Sequence, residues 1–585
     1  MNKQEKKLLL ILMAICVISL ISFIGLSLFN TRGEPREAIV SLSMLKYGNW
    51  ILPVNNGIDI AYKPPLLHWL IAIVSYINGE VTPFTSRMPS AIALIAMIAA
   101  GYVFFTKRKD SMTAFIAGII TLTCFEVHRA GTSCRVDMLL SALIVIALYQ
   151  LHKWGEKGMK GIPVWGILAM SGAFLTKGPI GILLPCLVEF VYLLVRGIKP
   201  IRLIGIFILI GISACILPSL WYIAAYRQGG DKFLELIYEE NVLRFLGKMS
   251  YASHEKPAFY NFVTLIAGYV PYTLLILISL FTIKLKSPSL KFSNWWKRLR
   301  NHIVSMDSAH LFSLLSIVII FVFYCIPKSK RSVYLLPIYP FIAFFLAEYI
   351  IYLAKRYNFV LKIFGNIMAG ITVLLIICFI AVRKNLIPES IFSGKHAVEN
   401  INMMRDLATT NLNLLSIIIL ILPLIASIIF WRINKQNSYK LIFSVLGIIW
   451  SIFISLDGFY QPVILSSKSD YDVAMKIKAI VPEGKLYSYR TDIVAGDRMH
   501  PFTINFYLGD RVVPFDCFNP SAGYLIAGNN DIDTFKKTYT SYDVKEVYNF
   551  NHRSCDDKKW LHLYKFTKSN ITNKIEINNI RTLQQ

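Results

Sequence analysis

Residues 84–109 read FTSRMPSAIALIAMIAAGYVFFTKRK, and this stretch decides the class of the fold. An apolar run of about 20 residues is long enough for an α-helix to cross the hydrocarbon core of a bilayer. The run ends at Lys107, Arg108 and Lys109, and basic residues at one end of a span mark the side that stays in the cytosol. The stretch therefore predicts a transmembrane helix with a cytosolic C-terminal end.

The composition agrees with a chain that crosses the membrane many times. Of the 585 residues, 55% are hydrophobic and only 16% are charged, and the mean hydropathy is +0.53. A soluble chain carries roughly 25% charged residues, so a soluble multidomain protein and a disordered chain are both excluded. The net charge of +26 is explained by retention of Lys and Arg in cytosolic loops, and it does not indicate a nucleic-acid partner.

Apolar runs of this kind predict thirteen transmembrane helices. They cover residues 8–29, 84–105, 111–128, 138–151, 162–176, 180–195, 203–223, 259–283, 309–326, 333–352, 361–381, 412–431 and 440–456. Every second loop is basic, so the charge rule fixes the orientation. The N-terminus, with Lys3, Lys6 and Lys7, is expected in the cytosol and the first run is expected to stay uncleaved, which places the C-terminus on the outer face.

Two regions outside the spans are expected to have their own structure. Residues 65–79 are too short to span without inverting every later loop, so we predict a membrane-surface helix within a long outer loop, 31–84. Residues 457–585 contain short alternating stretches separated by Gly, Asn and Asp, which predict a small soluble α/β domain after a membrane domain of residues 1–456. Its two cysteines, Cys517 and Cys555, could form a disulfide or remain free thiols.

Charged residues gather at the outer ends of the predicted helices, where the charge rule disfavours cations. They come from five loops and include Glu34, Arg36, Lys63, Asp137, Lys177, Arg244, Lys328, Lys330 and Arg331. Singly, Lys177 could extend its ammonium to the interface and Asp137 could be a helix cap. Together, several cations at one membrane depth indicate an anionic ligand such as a lipid phosphate. An adjacent carboxylate could take a proton from an attacking hydroxyl group.

The order of short motifs resembles a known enzyme family. The motifs are GEPREA, YGNWILP, YKPPLLHW, SRMPSA, RVDM, LTKGP, ENVLRF, HEKPAFY and a basic turn before YLLPIYP. Over roughly residues 5–350 they resemble the bacterial GT-C glycosyltransferases, most of all the aminoarabinose lipid A transferases and the protein O-mannosyltransferases. The resemblance implies inverting transfer of a sugar from undecaprenyl phosphate, at the periplasmic face of the inner membrane, to a lipid, glycan or protein acceptor.

The resemblance also implies roles for individual residues. The first acid of the family's opening loop is replaced by Gly33 here, so Glu34, in the position of the second acid, becomes the expected base, with Asp137 as the reserve. Lys63, Lys177 and Arg244 match phosphate-binding residues. Arg36, Tyr62 and the basic turn Lys328, Lys330 and Arg331 are expected to join them in binding the donor.

The positions that resemble the family's metal ligands hold Tyr62 and Asn241. Neither side chain is a good zinc ligand, so no metal is expected to be required, and His254 and Glu255 are expected to lie in a polar loop. Two other functions stay open from the sequence: a lipid-linked oligosaccharide ligase or polymerase, and a transporter of lipid-linked glycans. A transporter would place ionisable groups near the bilayer midplane, whereas here they gather at helix ends.

Overall fold

The structure is a computed structural model, and it describes residues 1–246, 248, 255–257, 259–282, 300–301, 303–394, 396–433, 437–489 and 500–569. The chain forms two compact units. The first contains Met1–Ser27 and Tyr62–Ile464, and the second contains Leu28–Ala61 and Leu465–Gln585. The first loop is therefore divided, because residues up to Ala61 belong with the C-terminal region.

Helices make up the first unit. The first ten helices of the chain are α1 (Lys3–Ile21), α2 (Pro35–Tyr47, in the second unit), α3 (Leu66–Asn78), α4 (Pro83–Thr106), α5 (Ser111–Thr123), α6 (Phe125–Gly131), α7 (Val136–Glu156), α8 (Val164–Lys177), α9 (Ile180–Val195) and α10 (Pro200–Tyr238). They are followed by Arg244–Leu246, Tyr260–Gly268, Tyr272–Thr282, Ser308–Cys325, Tyr339–Arg356, Asn358–Arg383, Ala397–Thr409, Leu414–Arg432, Ser438–Ser455 and Gln461–Ser466.

Each predicted span coincides with a helix or with a bent pair of helices. Within the described residues, eight helices are long and apolar enough to cross a membrane, and the bent pairs α5–α6 and Tyr260–Gly268 with Tyr272–Thr282 raise the number to ten. The other three predicted spans are α1 and the shorter helices α8 and α9, of 14 and 16 residues. Residues 65–79 form the helix α3, as expected, and its position at a membrane surface stays a prediction.

Local sequence explains where these helices begin and how they are joined. At the start of α4, the Thr82 side chain accepts a hydrogen bond from the backbone N–H of Thr85, with Pro83 in the first turn, a pattern typical of helix N-termini. The guanidinium of Arg87, only 2% exposed, donates to the carbonyl oxygens of Ile24 at 2.6 Å and Ser27 at 2.7 Å. Arg87 thus satisfies carbonyl groups that follow α1, which is a structural role.

The second unit is built on a five-stranded mixed sheet. Its strands are β3 (Leu486–Tyr489), β4 (Val512–Pro514), β5 (Ala522–Gly528), β6 (Tyr542–Arg553) and β7 (Trp560–Lys568), and β1 (Val54–Asn55) pairs with β2 (Asp59–Ile60) in a separate hairpin. The sheet order is β4-β3-β5-β7-β6, with β3 parallel to β4 and β5, and β7 antiparallel to β5 and β6. The predicted C-terminal α/β domain is confirmed.

Apolar side chains cover both faces of this sheet, and short helices complete the unit. They are Tyr471–Ile480, Phe502–Tyr507, Phe515–Phe518 and Asp531–Thr538. One core contains Ile477, Leu486 and Leu563, and the other contains Phe515, Phe535 and Phe566. Cys517 is exposed, Cys555 is buried, and both are free thiols.

Candidate functional site

An ion pair between Asp137 and Lys177 lies at one end of the helical unit. Asp137 is in the first turn of α7 and Lys177 is the last residue of α8. The Lys177 Nζ donates to the Asp137 Oδ1 at 2.5 Å. The Lys177 side chain is 28% exposed and the Asp137 side chain is 8% exposed. Since α7 begins at Val136 and ends at Glu156, we call this the Asp137 end of the unit and the other the Glu156 end. The pair joins two residues that the sequence singled out separately.

Further positive charge surrounds this pair. The charges of Arg135 and Arg331 both act on the Asp137 carboxylate, and that of Arg331 also acts on Lys177. The Lys177 Nζ lies 4.4 Å from the centre of the Tyr334 ring, a favourable cation–π distance. One carboxylate therefore shares its surroundings with three cations, an arrangement that can accept an additional anion.

The three cations of the basic turn, Lys328, Lys330 and Arg331, differ in what their side chains contact. Arg331 acts on the ion pair, as described, but the Lys330 side chain is 5% exposed and its Nζ donates to the carbonyl oxygen of Pro327 at 2.5 Å. Lys328 is exposed, and its carbonyl oxygen accepts from the backbone N–H of Lys256 at 3.1 Å. Of the three predicted cations in this turn, the structure brings Arg331 to Asp137.

A second polar cluster adjoins the first. Gly178, which follows Lys177, has φ +83°, and a Cβ added there would lie 2.8 Å from the Asn241 Oδ1. The turn between α8 and α9 therefore packs directly on the segment Glu239–Leu243. In that segment Glu240 accepts from the Tyr62 hydroxyl at 3.0 Å and pairs with Arg244 at 2.9 Å. Tyr62, Glu240 and Arg244 thus form a hydrogen-bonded group beside the Lys177 turn.

The remaining predicted residues lie in two places. Lys63 is half-buried, directly after Tyr62 and in the helical unit. Glu34 and Arg36 belong to the second unit. The Glu34 side chain is buried, and the Arg36 guanidinium donates to Glu37 at 3.0 Å.

The side chains at the family's metal positions do not fit a divalent ion. The Tyr62 hydroxyl donates to Glu240, and the Asn241 Nδ2 donates to the carbonyl oxygen of Ile237 at 3.0 Å. Neither residue type is a good zinc ligand. Glu255 forms a β-bridge with Ser329, and His254 lies outside the described residues.

One group of three possible metal ligands occurs in the described part of the chain, namely Asp470, Cys555 and Asp556 in the second unit. Protein donors already bind both carboxylates. Asp470 accepts from Ser554 and from the backbone N–H of Cys555, and Asp556 accepts from Thr503. Hydrogen bonds within the protein therefore account for this group.

Comparisons with known proteins point to one fold. Residues 62–222 match the family model "Dolichyl-phosphate-mannose-protein mannosyltransferase". The crystal structure of ArnT from Cupriavidus metallidurans bound to undecaprenyl phosphate superimposes with a TM-score of 0.67 at 17% identity, over 95% of this chain and 97% of that one. The chain has the fold of a GT-C glycosyltransferase. Together with its apolar helices, this fold makes it a multi-pass membrane protein.

Two sequence relatives are named as arabinosyl transferases. The chain is 28% identical to "Undecaprenyl phosphate-alpha-4-amino-4-deoxy-L-arabinose arabinosyl transferase 2" of Proteus mirabilis over 396 residues, which are 65% of this chain and 66% of the relative. It is 27% identical to the corresponding transferase of Pseudomonas savastanoi over 358 residues, 60% of this chain and 62% of that one. The chain thus spans slightly less than two thirds of each of these relatives.

Two residues of this site were not anticipated from the sequence. Glu240 lies four residues before Arg244, and this spacing places the two side chains on one helical face, so the stretch EENVLR contained a usable signal. Tyr334 contacts Lys177, and its segment, Ser332–Ile338, packs against α7. No local pattern could have predicted that contact.

Proposed function

We propose that the chain is an inverting glycosyltransferase that moves a sugar from a polyprenyl phosphate, of the undecaprenyl type, to a hydroxyl or phosphate oxygen of lipid A, another glycan or a protein. The observation that carries this proposal is the Asp137–Lys177 ion pair, joined by the charge of Arg331 at one end of membrane-crossing helices. The ArnT structure of the same fold was solved with undecaprenyl phosphate, which supports the donor class.

The proposed orientation places this end at the periplasmic face of a bacterial inner membrane. The loops at the Glu156 end include Lys107–Lys109 and Lys153–Lys160, and such basic loops stay in the cytosol. The N-terminus would then be cytosolic and the C-terminal sheet unit periplasmic.

The proposed reaction needs no covalent intermediate. The acceptor oxygen attacks the anomeric carbon from the side opposite the phosphate, the bond from that carbon to the phosphate oxygen breaks, and the polyprenyl phosphate leaves with the electron pair. Lys63, Lys177, Arg244 and Arg331 offset the negative charge that grows on the leaving phosphate. A carboxylate, Glu34 or Asp137, accepts the acceptor's proton.

The Asp137–Lys177 pair offers a way to couple donor binding to base activation. The Lys177 ammonium donates a hydrogen bond to the Asp137 carboxylate at 2.5 Å. A lipid phosphate that takes over this ammonium would leave the Asp137 carboxylate available to accept a proton. The donor would thereby prepare the site for the second substrate.

The test compares envelope glycans and lipid A, by mass spectrometry, from cells with and without the chain. The wild-type protein should add the mass of a single sugar, and Lys177→Ala should abolish this addition. The matched control is Lys157→Ala, an exposed lysine at the opposite end of α7, which should leave it intact. Identical spectra with and without the wild-type chain would refute the proposal, and addition of a whole oligosaccharide would favour a ligase or polymerase.

A further inference from the structure

The second unit contains a groove that the proposed transfer reaction does not use. It has a volume of about 830 Å³ and lies between residues 46–57 of the first loop and residues 478–485 and 508–518 of the sheet region. Ligand sites for small molecules usually measure roughly 300–1,000 Å³. The groove is therefore large enough for a small saccharide.

Four cations line this groove: Lys46, Lys478, Lys485 and Arg511. Within the described residues, none of the four forms an ion pair with a carboxylate. The Lys46 Nζ donates instead to the carbonyl oxygen of Gly509 at 2.7 Å, and the Arg511 guanidinium donates to that of Val481 at 2.6 Å. Backbone carbonyls position these two groups, and each also feels the charge of one acid of the groove: Lys46 that of Asp510, and Arg511 that of Glu483.

The acids of the groove do not balance this charge. Glu483 is exposed, and Asp510 is buried. The Asp510 carboxylate accepts from the Ser43 hydroxyl at 2.8 Å and from the backbone N–H of Asn56 at 2.8 Å, so neutral donors occupy it. Four cations against two acids leave a positive surface that is complementary to an anion.

Two exposed aromatic rings accompany the cations. Tyr47 is 57% exposed and Phe518 is 41% exposed, and both line the groove. The Lys46 Nζ lies 4.9 Å from the centre of the Tyr47 ring, and the Lys485 Nζ lies 5.2 Å from that of Phe518. Each ring thus offers an apolar face next to an ammonium group. Such a pairing suits a ligand that has both a flat, weakly polar body and a negative group.

We propose that this groove binds a phosphorylated saccharide, with the phosphate on the Lys478 and Lys485 side and a sugar ring against Tyr47 or Phe518. An acidic peptide would use the cations but would leave the aromatic faces without a matching partner, so the saccharide is favoured. Binding at this groove does not depend on the proposed transfer reaction.

The experiment uses the full-length protein in nanodiscs and isothermal titration calorimetry. The probes are a glucosamine disaccharide with two phosphates, the same disaccharide without phosphate, inorganic phosphate, and an acidic peptide. The double variant Lys478→Glu, Lys485→Glu should weaken binding of the phosphorylated disaccharide by at least about tenfold, because two attractive charges become repulsive. The control, Lys476→Glu with Lys537→Glu, makes the same charge change at exposed lysines outside the groove and should change the affinity less than about twofold.

Four results would overturn the proposal: no binding of the phosphorylated disaccharide, equal binding of inorganic phosphate, equal binding of the acidic peptide, or equal losses in the two double variants. Near-ultraviolet circular dichroism checks that both variants are folded. Binding of undecaprenyl phosphate, measured on the same samples, should be unchanged in both. A failure at the groove is therefore distinguishable from a failure of the proposed transferase function.

Discussion

Replacing Asp137 by Asn should tighten the binding of undecaprenyl phosphate at Lys177. Asn has nearly the same shape as Asp but no charge, so Lys177 loses its counter-ion, which lies 2.5 Å away. If a lipid phosphate binds to Lys177, Asp137 repels that phosphate in the wild-type protein. Two like charges about 6 Å apart repel each other with a Coulomb energy of roughly 3 kcal/mol at an effective dielectric constant of 20. Since Lys177 is 28% exposed, solvent screening reduces this repulsion to about 1–2 kcal/mol.

The Asp137→Asn variant should therefore bind undecaprenyl phosphate about 5- to 30-fold more tightly than the wild type. Lys177→Ala should weaken binding by about 10- to 100-fold, because a charge-assisted hydrogen bond is worth roughly 1.5–3 kcal/mol. Native mass spectrometry of the protein in nanodiscs, titrated with the lipid, measures both affinities. If Asp137→Asn weakened binding as much as Lys177→Ala, the idea that the lipid phosphate competes with Asp137 for Lys177 would be wrong.

Three further predictions concern the base, the second polar cluster and the sheet unit. Glu34→Gln should lower sugar transfer by about 100-fold or more with little change in undecaprenyl phosphate affinity, if Glu34 is the general base; near-normal transfer would remove it from that role. Glu240→Gln frees Arg244 from its ion pair and should tighten lipid phosphate binding several-fold in the same titration, whereas unchanged affinity would place Arg244 away from the phosphate. Burial and the nearby Asp470 carboxylate raise the pKa of Asp556 to about 8, so the folded state holds this proton more tightly than the unfolded state does. The free energy of unfolding of the second unit should therefore fall as pH rises from about 4 to about 8, and chemical denaturation should show a flatter pH dependence for Asp556→Asn.

The membrane helices could be predicted because their cause is local. A run such as 84–105 needs only its own apolar residues and the basic cluster after it to define a span and its direction. The bends were not predicted. The helices α5 and α6 meet at an angle of 72°, and the helices Tyr260–Gly268 and Tyr272–Thr282 meet at an angle of 98°. A bend depends on what packs beside the helix, and hydropathy alone does not contain that information.

The site was predictable in part for the same reason. The position of a residue at a helix end follows from the span, so Asp137 and Lys177 could both be assigned to one membrane depth. That they pair with each other, and that Tyr334 lies over Lys177, depends on contacts between distant segments. The grouping of the first loop with the sheet unit also rests on long-range hydrogen bonds, such as that from Ser43 to Asp510 at 2.8 Å. Neither residue has a local pattern that identifies its partner.

The most direct test of the central claim is an electron cryo-microscopy structure of the chain in nanodiscs with undecaprenyl phosphate. We predict density for the lipid phosphate within hydrogen-bond distance of the Lys177 Nζ, with Arg331 or Arg244 beside it and Asp137 displaced from its present partner. A phosphate bound at the Glu156 end of the helices, or bound without contact to Lys177, would contradict the account.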